Sequence, residues 1–188
     1  MKAKSIRGKS AAEIEVALEQ SMADGFAPTL AIVFLSVSQD RKAISGILNE
    51  QGIQIFGVTT NGEFTDEEPQ HLSTAILLLE INRAYFSILY KEYREDDFKK
   101  VAFSLAKEAL HQFQQPAFLI AGSHLSTDAE ALLHGFEDAI NPLVNVYGCM
   151  AGDDVSFTDQ FVFTNQWESN KGMLVLALDE EKIMIKGK

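Results

Sequence analysis

The segment Gly57-Val58-Thr59-Thr60-Asn61-Gly62-Glu63 closes a short apolar run, and Gly148-Cys149-Met150-Ala151-Gly152-Asp153 closes another run later in the chain. We call them the first and second glycine-acid segments. An apolar run followed by glycines and a final acid predicts a strand that ends in a glycine-rich turn. Because the two segments stand in the same setting in the two halves of the chain, the sequence predicts an internal duplication.

The similarity between the halves extends upstream of the two segments. Residues 28–33 resemble residues 116–121, and a helical pattern follows each run. We therefore expect repeat halves at about 28–90 and 116–188. A repeat of this length is not a solenoid period, so the halves are predicted to fold as one domain over residues 1–188. The predicted fold class is α/β, with internally duplicated β-α-β-β units whose mixed parallel and antiparallel sheet or sheets are flanked by helices.

Hydrophobic periodicity predicts the positions of the helices and strands. Ser10 and Glu13 have the spacing of a capping box and predict the start of a helix. Strands at 73–81 and 85–90 are expected to pair as an antiparallel hairpin. The other predicted elements are helices at about 11–23, 40–49, 95–113 and 127–140, strands at 29–37, 53–58, 116–121 and 143–147, and a closing β-meander at 160–165, 172–179 and 182–185.

Composition excludes several classes of partner. The 188 residues are 46% hydrophobic and carry a formal net charge of −11, which repels nucleic acid and anionic membrane surfaces. The apolar runs are much shorter than the roughly 20 residues that span a bilayer, and the basic N-terminus lacks the features of a signal peptide. Cys149 is the only cysteine, so a reducing compartment is expected. We predict a cytoplasmic protein.

The two glycine-acid segments predict a small-molecule site. Glycine lets a ligand approach backbone N–H groups, which suits a carboxylate, and the two acids could pair with an ammonium group. A pseudo-twofold arrangement would bring the segments together at the strand ends, where open α/β sheets bind ligands. The alternative is that the glycines only shape tight turns or bulges and the acids cap local donors. The predicted ligand-binding residues are Thr59, Thr60, Asn61, Gly62, Glu63, Cys149, Met150, Ala151, Gly152 and Asp153.

These residues carry a resemblance to the N-terminal module of the FIST sensory domain. Members of that family have a glycine-cysteine-serine-threonine-alanine-glycine-glutamate segment, which residues 57–63 match. They also have a glycine-glycine-leucine-alanine-glycine-aspartate segment, which residues 148–153 match, in front of a phenylalanine-containing hairpin like residues 160–165. The resemblance covers about 29–188 in the right order.

The resemblance implies a prokaryotic signal-input domain without catalytic activity. Such a domain is expected to bind a small ligand, such as an amino acid or a related metabolite, and to act on a kinase, cyclase or chemoreceptor output. The sequence contains no output module and no sign of the C-terminal partner module of the family. No cofactor is expected, although some members are reported to bind haem and respond to nitric oxide, for which His124 is the candidate axial ligand.

Other functions stay open at this point. Cys149 lies beside glycine and could act as a nucleophile with one of the four histidines as base. No G-x-S-x-G, Walker A, G-x-G-x-x-G or H-E-x-x-H motif occurs in the sequence. A pure interaction module is a further alternative. Two groups of acidic residues lack the spacing of a calcium-binding loop, so no metal site is predicted. The first group is Asp153, Asp154 and Asp159, and the second is Glu63, Asp66, Glu67 and Glu68.

Overall fold

The computed structural model describes residues 1–65, 71–94, 97–155 and 159–185. Most of the predicted acidic loop at 65–70, including Asp66, Glu67 and Glu68, lies outside the described residues. The chain divides into two compact units. The first consists of Met1–Asn82 and Ala151–Glu168, and the second consists of Arg83–Met150 and Ser169–Lys188.

Each unit combines a sheet with two helices. The helices are α1 (Ala11–Met22), α2 (Arg41–Glu50), α3 (Phe98–Leu110) and α4 (Ala129–Ala139), with a 3-10 turn at Arg83–Tyr85. The strands are β1 (Lys2–Gly8), β2 (Leu30–Ser36), β3 (Gln54–Thr60), β4 (Thr74–Glu80), β5 (Phe86–Glu92), β6 (Pro116–Gly122), β7 (Val146–Met150), β8 (Val162–Phe163), β9 (Glu168–Ser169) and β10 (Gly172–Asp179).

The first unit is built on a sheet with the strand order β1-β4-β2-β3-β8-β9. Strands β2 and β3 are parallel and α2 connects them, whereas β4 is antiparallel to both β1 and β2, and β8 is antiparallel to β3. Ser10 caps α1 by accepting the Glu13 N–H at 3.3 Å, as its sequence spacing predicted. The apolar faces of both helices enter one core, whose members include Ile14, Leu18, Ile44, Leu48 and Phe163.

The second unit is built on a sheet with the order β5-β10-β6-β7. Its parallel pair is β6 and β7, connected by α4, and β10 is antiparallel to both β5 and β6. Helix α4 begins at Ala129, two residues after the predicted start at 127, because Asp128 rather than Thr127 caps it, accepting the Ala131 N–H at 3.0 Å. Phe118 of β6 and Phe136 of α4 pack at 4.7 Å between ring centroids. Both units thus contain a parallel β-α-β crossover.

The α/β fold class with mixed sheets is confirmed, but two pairings predicted from sequence are wrong. β4 lies between β1 and β2, while β5 pairs with β10, so these strands do not form a hairpin. The closing meander is not formed either, because β8 pairs with β3 and residues 182–185 are not a strand. Strand β1 was not predicted, because Ile6 is its only buried hydrophobic residue. Strand partners depend on the tertiary path of the chain, which local patterns do not contain.

Within the described ranges, every helix is too short or too polar to cross a membrane.

Candidate functional site

The leading glycines of the two segments are strand residues, so the turns predicted to start there are wrong. Gly57 lies in β3, where an added Cβ would be 2.3 Å from Phe163 Cε2 on the paired strand. Gly148 lies in β7, where a Cβ would be 2.2 Å from the Ile120 carbonyl oxygen. Among the described glycines only Gly25 and Gly52 have positive φ. Gly57 and Gly148 are therefore required by close packing and not by a left-handed backbone conformation.

The first segment and the end of the second meet in the first unit. The Gly152 N–H donates to the Thr59 carbonyl at 2.7 Å, and the Asp153 N–H donates to Asn61 Oδ1 at 2.8 Å. Gly152 leaves no room for a side chain, because a Cβ would be 2.5 Å from Asn61 Oδ1. Ala151, Gly152 and Asp153 are all buried. The structure thus joins four of the predicted site residues, Thr59, Asn61, Gly152 and Asp153, at the carboxyl end of β3.

The Glu63 carboxylate is engaged by its own chain. Its Oε1 accepts the Thr60 hydroxyl at 2.7 Å, and its Oε2 accepts the Ser73 hydroxyl at 2.8 Å and the Ser73 N–H at 3.2 Å. The residue is only 2% exposed. Thr59 is fully buried, and its hydroxyl accepts the Phe161 N–H at 2.9 Å. The Glu63 carboxylate thus ties the end of β3 to Ser73, the residue before β4. Such a role agrees with the alternative interpretation, in which the acids accept hydrogen bonds from local donors.

Two polar residues beside the segments were missed as site candidates. Ser36, at the end of β2, donates to Asp154 Oδ2 at 2.5 Å and lies 2.6 Å from the Ser38 hydroxyl. Asp154 and Val155 have φ values of 56° and 64°, which are unusual for residues with a side chain. The signal for Ser36 was available in principle, because parallel strands β2 and β3 end at the same edge of the sheet. Among the described residues, no group of three or more His, Cys, Asp or Glu could hold a metal ion.

Cys149 and Met150 belong to the second unit, where they pair with Ala121 and Gly122 of β6. Cys149 reaches solvent, yet desolvation by the surrounding side chains raises the pKa of its thiol. A nucleophilic cysteine requires a lowered pKa, because the thiolate is the reactive form. The surroundings of Cys149 therefore shift its pKa away from the thiolate form that this alternative requires.

His124 precedes α4 in a left-handed conformation, with a φ of 111°. Its Nδ1 lies 2.7 Å from the Ser126 hydroxyl and accepts the Ser126 N–H at 3.4 Å. The half-buried imidazole thus stabilises the loop that leads into α4. This observed role is local, and it supplies no support for an axial haem ligand.

These features define an α/β protein with two parallel β-α-β crossovers. Each glycine-acid segment begins in the second strand of a crossover, β3 or β7, and continues past the carboxyl end of that strand. The model of the FIST N domain matches residues 29–187, and the chain belongs to this family, which is generally sensory and is not a known enzyme family. No curated protein matches the chain.

Proposed function

We propose that the chain is a cytoplasmic signal-input domain that binds a small ligand at the junction of Thr60, Asn61 and Gly152. The ligand is an amino acid or a related metabolite with a carboxylate. The bound state is passed to an output protein or domain of the kinase, cyclase or chemoreceptor type. Membership of a generally sensory family supports signal input.

The observation that carries the proposal is the direct bonding between the two segments. Asn61 Oδ1 is used to hold the Asp153 N–H, which orients the side-chain amide. Asn61 is exposed, and its Nδ2 donates no hydrogen bond within the described part of the chain. An oriented amide donor with a free N–H group at the end of a parallel strand suits a ligand carboxylate.

Glu63 has a positioning role in this proposal. Because its carboxylate accepts the Thr60 hydroxyl at 2.7 Å, it sets the position of the residue next to Asn61. Ligand contact then falls to the side-chain amide of Asn61, and the ligand leaves the Glu63 hydrogen bonds intact.

A thermal-shift screen against amino acids, small carboxylates, purines and haem tests ligand binding. A ligand at about 100 times its dissociation constant stabilises the folded state by about 2.7 kcal/mol, which raises the midpoint by roughly 5–10 °C for a protein of this size. The expected hits are carboxylates. The absence of a shift with every class would contradict ligand binding by this chain, and a shift with haem alone would assign the chain to gas sensing.

The variant Asn61→Asp tests the location. It keeps an oxygen that accepts the Asp153 N–H but replaces the free amide donor with an anion. We expect the affinity for the carboxylate hit to fall about tenfold or more, since the variant loses a charge-assisted hydrogen bond and gains repulsion. Gln20→Ala, which removes an exposed amide on α1 of the same unit, is the control and should bind like the wild type. Equal binding by Asn61→Asp would contradict this location.

A further inference from the structure

A cavity of about 270 Å³ opens beside α2 in the first unit. It is separate from the glycine-acid segments and shares none of their residues. Its volume lies slightly below the range of about 300–1,000 Å³ that is usual for ligand pockets, which limits it to a small ligand. Its lining consists of Arg41, Lys42, Ser45, Phe163, Thr164, Asn165, Gln166, Trp167 and Glu168.

Three interactions hold Arg41 in the cavity wall. Its Nε donates to Glu168 Oε2 at 2.6 Å, its Nη1 donates to the Val37 carbonyl at 3.3 Å, and its guanidinium carbon lies 3.9 Å from the centroid of the Phe161 ring. The side chain is only 17% exposed. A guanidinium that is already ordered loses little conformational entropy when it binds an anion.

Lys42 supplies a cation that is not neutralised. It is exposed, and within the described residues it has no hydrogen-bond or ion-pair partner. Glu168 balances Arg41, so the lining keeps one net positive charge from Lys42. A cation that lines a concave surface attracts a small anion even in a protein with a net charge of −11.

The lining also contains an aromatic side chain, that of Trp167. Thr164 Oγ1 accepts the backbone N–H of Trp167 at 3.1 Å, which orders the loop that carries the half-buried indole. The Asn165 side chain is fully used, because Oδ1 accepts the Ile55 N–H and Nδ2 donates to the Ile53 carbonyl and to Asn49. An aromatic side chain in the lining gives a flat apolar group a surface on which it can stack.

From these observations we infer that the cavity binds a small monoanion with a planar apolar body, such as an arylacetate. The carboxylate pairs with Lys42 and the outer edge of the Arg41 guanidinium, and the ring lies against Trp167. This inference goes beyond the proposed function, because it assigns a second site with a different ligand class.

Trp167 is the only tryptophan of the chain, so its fluorescence reports on this cavity directly. The whole 188-residue chain is titrated with phenylacetate, with the neutral phenylacetamide and with inorganic phosphate. We expect a saturable change in emission with phenylacetate alone. No saturable change with phenylacetate, an equal response to phenylacetamide, or an equal response to phosphate would overturn the proposal.

Two lysine variants then test the charge. Lys42→Gln should weaken phenylacetate binding about tenfold or more, because it removes a charge-assisted hydrogen bond. Lys100→Gln, at an exposed position on α3, removes the same charge elsewhere and should leave the affinity unchanged. Equal affinities of the two variants would overturn the assignment to the cavity.

Calorimetric titration of Trp167→Leu provides a readout that does not depend on fluorescence. We expect the heat of phenylacetate binding to disappear or the affinity to fall about tenfold, since stacking on an aromatic ring is lost. Unchanged binding would overturn the role of the indole. Asn61→Asp should bind phenylacetate in the cavity like the wild type, so failure at this site and failure at the glycine-acid segments give different results.

Discussion

A methyl group at position 57 would overlap the Phe163 ring, because the added Cβ would be only 2.3 Å from Phe163 Cε2. Gly57→Ala should therefore lower the free energy of unfolding by about 1–3 kcal/mol, the usual cost of overpacking a core. Gly46→Ala is the matched control, because position 46 of α2 has open space within 4 Å and alanine favours a helix by about 0.5–1 kcal/mol. Urea unfolding should move the two midpoints in opposite directions. Equal effects would contradict the close packing at Gly57.

Glu63 provides a second test at the residue scale. Glu63→Ala leaves the Ser73 N–H and two hydroxyl groups without their acceptor in a buried place, so we expect a loss of about 2–4 kcal/mol in the free energy of unfolding. Glu19→Ala removes an exposed glutamate from α1 and should have little effect. If urea unfolding gave the same midpoint for both variants, the positioning role of Glu63 would be wrong.

The charge of His134 depends on two glutamates of its own helix. A hydrogen bond that His134 Nδ1 donates to Glu137 Oε2 at 2.9 Å, with a further contribution from Glu130, raises the pKa of His134 above its ordinary value of 6.5. The contribution of protonated His134 to the stability of α4 is therefore fully present below pH 6.5. It is lost as the pH rises through the raised pKa. NMR titration of the imidazole should give a midpoint above 6.5 that falls in Glu137→Gln. A midpoint that Glu137→Gln leaves unchanged would contradict the interaction.

At the scale of elements, α3 and α4 approach each other closely at Gly135. A Cβ there would be 2.6 Å from Ala102 Cβ and from the Lys99 carbonyl oxygen. Gly135→Val should force the helices apart and cost about 2 kcal/mol or more. Leu133→Val places the same β-branched residue at an exposed position of α4 and controls for helix propensity. Thermal unfolding should separate the two variants by several degrees, and coinciding curves would contradict the close helix contact.

At the scale of the whole molecule, the path of the chain determines what can fold. The first unit consists of Met1–Asn82 and Ala151–Glu168, and Phe163 of the later stretch is 2% exposed in its core. A fragment of residues 1–82 lacks this ring and the β8 partner of β3. We expect the fragment to lack a cooperative thermal transition in circular dichroism, which the full chain should show. A cooperative transition of the fragment would show that the later stretch is dispensable.

Much of the fold could be predicted from the sequence because helices and strands depend on local patterns. The spacing of Ser10, Glu13 and the following apolar residues predicted a helix at 11–23, and α1 spans Ala11–Met22. Continuous apolar runs predicted the buried strands that became β2 and β6. The two glycine-acid segments also indicated the family before the fold was known. The prediction of a single domain over 1–188, and that of ligand binding by the segments, stay predictions.

Other features depended on which parts of the chain meet. Gly57 looked like a turn residue because its partner Phe163 lies far along the sequence, and only their pairing shows that glycine is needed for contact. The same holds for the bond between Asn61 and Asp153, and for the placement of Arg41 between Glu168 and Phe161. The sequence by itself determined most helices and strands and the family, because both can be identified from short stretches of neighbouring residues. The tertiary structure alone decided the strand partners, the roles of the glycines and the cationic cavity, because these depend on contacts between residues distant in the chain.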